Sequence, residues 1–365
     1  MAEAKTLGEH LREQGVSRRG FLKFCTATAS LMALPPTMVP AIAAALEQAR
    51  RPSVIWLSFQ ECTGCTEALT RSYSPTIEDL IFDFISLDYH HTLQAASGDA
   101  AEHAREEAMR ANWGQYLVIV DGSLPGPDAN PGYSTIAGIS NWTMLEETVE
   151  GAAAVIAIGS CAAFGGLPHA RPNPTGAVAV MDLVHDKPVI NVPGCPPLPM
   201  VMTGVLAQYL TFGQIPELDA YLRPRAFFGQ SIHDRCYRRP FYDKGLFAAT
   251  FDDEGARAGW CLYRLGCKGP STYNACATMR WNGGTSWPVE AGAPCLGCSE
   301  SRFWDAGDFY KALSVPTDFD AGAVLAAGAA GAVIGGAAVA LSKRRARNEA
   351  THRAPVTVDE LEQKQ

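Results

Sequence analysis

Ser53-Val54-Ile55-Trp56-Leu57-Ser58-Phe59, followed closely by Glu61-Cys62-Thr63-Gly64-Cys65-Thr66-Glu67, is a buried strand running straight into a pair of thiols. A short, nearly continuous apolar run rich in β-branched and aromatic residues suits a strand covered on both faces. Four more such runs recur at Phe82–Asp88, Tyr116–Val120, Ala153–Ile158 and Pro188–Val192, with helix-like segments such as Ala100–Asn112 and Asn141–Glu150 between them. Strands alternating with helices imply βαβ units and a doubly wound parallel sheet, an α/β fold. Open sheets of this kind receive ligands at the carboxyl ends of their strands.

Cysteines sit at those ends. Cys62 and Cys65 follow the first run, Cys161 in Gly159-Ser160-Cys161-Ala162 follows the fourth, and Cys195 in Pro193-Gly194-Cys195-Pro196-Pro197 follows the fifth. A C-x2-C pair alone fits a redox dithiol or half a zinc site. Four thiols from three loops still fit zinc, but a cubane iron–sulfur cluster on the sheet edge suits them better, with Gly and Pro bringing backbone N–H groups near the sulfurs.

A second group of ligand-type residues follows: His233, Cys236, Cys261, Cys267, Cys276, Cys295 and Cys298. Gly, Pro, Trp and Asn surround them rather than a periodic apolar pattern, so something other than packing is expected to hold this stretch. Iron–sulfur clusters, structural zinc and disulfides all remain open on spacing alone.

The chain has 365 residues, 47% hydrophobic and 19% charged, with a formal charge of -8. This is room for two domains with a real core, and the acidic balance argues against a nucleic-acid binder. Ser17-Arg18-Arg19-Gly20-Phe21-Leu22-Lys23, a mild apolar run and small residues around Ala43–Ala45 predict a twin-arginine export leader over residues 1–45. Cys25 would leave with it. At the other end, the uncharged run Ala321–Leu341 followed by Lys343, Arg344, Arg345 and Arg347 reads as one membrane helix with a cytoplasmic tail, Gly331 and Gly335 offering a close-approach face. A flexible Ala/Gly linker is the alternative.

Together these motifs resemble the small, electron-transferring subunit of nickel–iron hydrogenases of the exported, membrane-anchored kind. The likeness runs through E-C-T-G-C-T-E (Glu61–Glu67), L-D-Y-H (Leu87–His90), G-S-C-A (Gly159–Ala162), R-P-N-P-T (Arg171–Thr175) and V-P-G-C-P-P (Val192–Pro197). It continues in I-H-D-R-C-Y-R-R (Ile232–Arg239), C-L-Y-R-L-G-C-K-G-P (Cys261–Pro270), Y-N-A-C (Tyr273–Cys276) and P-C-L-G-C-S-E (Pro294–Glu300). The resemblance implies a flavodoxin-like domain over 46–220, a smaller irregular iron–sulfur domain over 221–315, a transmembrane anchor over 316–342 and a cytoplasmic tail over 343–365.

It also implies two [4Fe–4S] clusters and one [3Fe–4S] cluster. Cys62, Cys65, Cys161 and Cys195 would hold the proximal [4Fe–4S], Cys276, Cys295 and Cys298 the medial [3Fe–4S], and His233, Cys236, Cys261 and Cys267 the distal [4Fe–4S]. The ten cysteines outside the leader are all used, and Pro288 stands near where a fourth medial ligand would be needed. Hydrogen would be split at a nickel–iron centre in a separate large subunit, and electrons would leave toward a membrane cytochrome b or quinone-linked partner at the outer, periplasmic face. Gly64, and a loop around Tyr133 and Ser134 without cysteine, imply a four-thiolate proximal cluster rather than the six-cysteine form of some oxygen-tolerant relatives. Glu67 is a candidate to assist proton chemistry, whereas His90, His91, His103, His169 and His185 read as ordinary core or surface residues. A complex I-like electron-transfer subunit and a non-catalytic zinc-binding surface protein are the competing readings. The first typically has adjacent cysteines where Cys62 and Cys65 are spaced apart.

Overall fold

The computed structural model describes residues 6–31, 34–49, 51–306 and 309–312. Its centre is a five-stranded parallel sheet: β1 (Ser53–Ser58), β2 (Ser86–His90), β3 (Leu117–Asp121), β4 (Ala154–Ile158) and β5 (Val189–Val192). The strand order is β2-β1-β3-β4-β5. That is the flavodoxin-like order, with its switch point between β1 and β3. Side chains alternate between two cores, as the period of two along a strand requires. Val54, Trp56, Leu117, Ile119 and Ile156 enter one core. Ile55, Leu57, Val118, Val120 and Val155 enter the other.

The first core is closed by a long apolar helix, Pro199–Phe212, most of whose residues are buried. The second is closed by Asp99–Ala111 and Asn141–Glu150, through Ala101, Ala108, Met144, Leu145 and Val149. The run Phe82–Asp88 divides differently from its sequence expectation. A capping box at Thr76 and Asp79 starts a helical turn that continues through Leu80–Phe84, so the strand begins only at Ser86.

Two further findings concern the ends. Helices Leu7–Glu13, Arg18–Leu31 and Val39–Gln48 place Leu7, Leu11, Phe21, Cys25, Ile42 and Leu46 in the first core. Phe24 stacks on Phe84 with ring centroids 4.0 Å apart. Arg18 and Arg19 stay exposed.

The expected C-terminal membrane helix is corrected. Among the described residues no helix is long and apolar enough to cross a membrane, and Ala321–Leu341 lies outside the described residues. The run is mostly Ala and Gly, side chains that supply little apolar area. The anchor over 316–342, the cytoplasmic tail and the membrane placement derived from them fall with it.

Candidate functional site

The carboxyl ends of β1, β4 and β5 deliver four thiols to one edge. After β1, Thr63 takes a left-handed conformation (φ 64) and starts the short helix Gly64–Leu69, which carries Cys65 on its first turn. After β4, Gly159 turns at φ 85 into the helix that bears Cys161, and a Cβ there would lie 2.4 Å from the Cys65 sulfur. Only glycine lets the backbone approach that sulfur so closely. After β5, the Cys195–Pro196 bond is cis.

Burial pushes the thiols of Cys65, Cys161 and Cys195 upward, Cys195 to about 12, and the neighbouring cysteines add to each shift. Thiols gathered this way resist ionising on their own. A cationic iron centre reverses that balance, so the donor set fits an iron–sulfur group.

Beneath this edge lies a floor that the sequence motifs did not point out. Asp121, at the last position of β3, is fully buried and accepts a hydrogen bond from the Trp56 indole at 3.0 Å. Burial raises its carboxyl to about 6. Glu61 is raised to about 7, by burial first and then by the charge of Asp121. Glu67, the sequence candidate, instead pairs with Arg71 at 2.6 Å with both side chains about half exposed, a solvated ion pair. His90 is buried beside Trp56, with ring centroids 4.9 Å apart, and is held neutral at about 4 by burial. His91 accepts from the Ser58 N–H at 3.2 Å.

The remaining ligand-type residues form two groups around a small core of Ile232, Leu262, Leu265, Trp287 and Val289. Cys276, Cys295 and Cys298 line a cavity of about 200 Å³. Burial raises all three thiols. Pro288 is in the same wall, with no donor to offer.

Cys236, Cys261 and Cys267 make the other group, each raised by burial. His233 lies in the capped turn Ile232–Arg235, and its ring meets Tyr242 edge-on at 4.5 Å. A Cβ on Gly269 would stand 3.5 Å from the Cys267 sulfur and 3.7 Å from the His233 backbone nitrogen, which brings His233 to the Cys267 side of this group. The two groups touch: the Cys295 N–H donates to the Cys267 sulfur at 3.4 Å, and the Lys268 N–H donates to the Cys295 carbonyl at 2.8 Å. Among the described residues no three His, Cys, Asp or Glu close on a single metal ion.

Arg223 fastens the C-terminal groups to the segment around Asp219. It is 4% exposed and pairs with Asp219 at 2.8 Å and Glu300 at 3.1 Å, while Glu300 also accepts the Tyr273 N–H at 2.7 Å.

Comparison with known proteins agrees with this architecture. Residues 228–311 match the family model for the C-terminal part of the NiFe/NiFeSe hydrogenase small subunit, and residues 62–209 match NADH ubiquinone oxidoreductase, 20 Kd subunit. The uptake hydrogenase small subunit of Azotobacter vinelandii is 47% identical over 351 residues, 94% of this chain and 98% of that one. The chain belongs to the nickel–iron hydrogenase small subunits.

The uptake hydrogenase small subunit of Cupriavidus necator is 48% identical over 92% of this chain and 94% of its own length. Among solved structures, the reduced, active Ni-Fe-Se hydrogenase of Desulfomicrobium baculatum superposes with a TM-score of 0.68 at 35% identity, covering 72% of this chain and all of that one. Membership makes this chain an iron–sulfur electron-relay subunit that pairs with a large subunit, where the hydrogen-activating site lies. The match to the NADH ubiquinone oxidoreductase family is confined to residues 62–209, which hold β2 to β5, and the hydrogenase C-terminal match covers residues 228–311.

Proposed function

We propose that the relay has three stations in fixed order. The first is a [4Fe–4S] group held by Cys62, Cys65, Cys161 and Cys195. The second is a [3Fe–4S] group held by Cys276, Cys295 and Cys298, and the third a [4Fe–4S] group held by His233, Cys236, Cys261 and Cys267. When bound, such groups supply one-electron carriers whose potentials follow ligand type, hydrogen bonding and burial.

The observation that carries this reading is the contact of the second and third ligand sets through Cys295 and Cys267. The first set sits on the sheet edge and meets the second at Cys195, which lines the same cavity as Cys276, Cys295 and Cys298. Cys62 and Cys195 are exposed on this edge. Of the four cysteines lining this cavity Cys195 serves the first station, and the three thiols left, with Pro288 in the wall, support three irons rather than four at the middle station. His233, whose charged form burial disfavours, is available as a ligand. Gly64 in place of a thiol supports a four-thiolate first station.

Similarity to the uptake hydrogenase small subunits favours clusters over the zinc alternative. The electron acceptor is a cytochrome b or quinone-linked protein. Residues 1–45 are a leader read by the twin-arginine machinery, supported by Ser17–Lys23 and by the exposure of Arg18 and Arg19.

Electron paramagnetic resonance of the oxidised complex with an iron count tests the assignment. A three-iron signal with roughly 11 cluster irons per copy of this chain is expected. About 12 irons without that signal would refute the middle station, and zinc in place of iron would refute the relay assignment.

A further inference from the structure

The first and second ligand sets come from different parts of the chain, yet one small side chain joins them. Ser160 is 2% exposed and lies between β4 and Cys161. Its N–H donates to the Gly194 carbonyl at 2.9 Å, and its hydroxyl accepts the Gly194 N–H at 3.0 Å. The same hydroxyl donates its own proton to the carbonyl of Cys298. Ser160 therefore holds three ligand-bearing segments together: its own, carrying Cys161, the Gly194–Cys195 loop, and the Cys298 loop of the second set. The geometry has a chemical consequence at the junction, because the hydroxyl proton lies against the backbone of Cys298, a residue that lines one cavity with Cys195. A donor proton held against a ligand residue favours the electron-rich state of whatever that residue holds.

We propose that Ser160 is a positioning residue for electron passage from the first station to the second: its hydroxyl locks the Cys298 loop to the Cys195 loop, and so holds a donor proton against the backbone of Cys298. This rests on the station assignment above. Alanine at 160 leaves the Gly194 N–H and Cys298 carbonyl without their shared partner, and the two loops are free to separate.

The test is a redox titration of the three-iron resonance in the assembled complex. Ser160→Ala is expected to keep its iron and its signal but to lose about one hydrogen bond's worth of stabilisation of the reduced state. This is about tenfold in the reduction equilibrium, or a midpoint lower by about 59 mV for one electron. Ser160→Thr and Ser160→Val, matched in shape, isolate the hydroxyl even where alanine disturbs the fold. The threonine protein is expected to keep the unmodified midpoint and the valine protein to show the drop. Equal midpoints in that pair would overturn the role of Ser160 while leaving the stations intact. Absence of the three-iron resonance from the unmodified complex would instead remove the assignment beneath it.

Discussion

Replacing Arg223 with leucine removes the cation that two carboxylates share. Arg223 lies 2.8 Å from Asp219 and 3.1 Å from Glu300, donates to the Ser299 carbonyl at 3.3 Å, and sits over the rings of Tyr221, Phe228 and Tyr273 at 5.1–5.7 Å. Glu300 is already pushed upward, by burial first and by Asp219 as well, with the guanidinium opposing both. Removing one partner of a buried pair costs about 3–5 kcal/mol. Glu300 and Asp219 retain 26% and 19% exposure and can take up protons, so we expect the lower end, about 3 kcal/mol. Deleting both charges relieves the stranded carboxylate. Arg223→Leu with Glu300→Leu should therefore be less destabilised than the sum of the single changes by about 1–3 kcal/mol. Urea unfolding of the assembled complex, followed by near-ultraviolet circular dichroism at fixed protein concentration, reads both quantities. An Arg223→Leu protein within about 1 kcal/mol of the unmodified one, or strict additivity in the double variant, would refute the clamp.

Two further outcomes follow from buried groups. His90 is held at about 4 by burial, against about 6.5 in an unfolded chain. The unfolded state thus binds more protons between those values, and stability is present above about 6.5 and lost as pH falls toward about 4. The loss is on the order of 3 kcal/mol, and His90→Gln should flatten it in urea midpoints measured across that range. An unmodified pH profile in the glutamine variant would count against a buried neutral His90. Cys25 is fully buried, and burial raises its thiol to about 11 from an ordinary 9.0. In the uncleaved, cluster-loaded chain it should react with a maleimide at least about 100-fold more slowly than a free thiol, and at the ordinary rate in denaturant. Rapid labelling of the folded chain would show that the first three helices do not pack on the body.

The parts of this molecule that were legible in its sequence are those in which one local rule acts alone. Buried parallel strands read as apolar runs, and strand ends with Gly and cysteine read as a ligand edge, because each signal is complete within a few residues. The strand at Phe82–Asp88 failed where two local rules compete: the Thr76–Asp79 capping box captures Leu80–Phe84 for a helical turn before the strand pattern begins. Asp121, Arg223 and Ser160 were illegible for a different reason. Each is an ordinary residue in its own segment and acquires meaning only from a partner 65, 77 or 138 positions away. Such residues are where a ligand-binding fold invests its specificity. The thiols can be supplied by motifs, but their mutual placement has to be fixed by contacts that no motif contains.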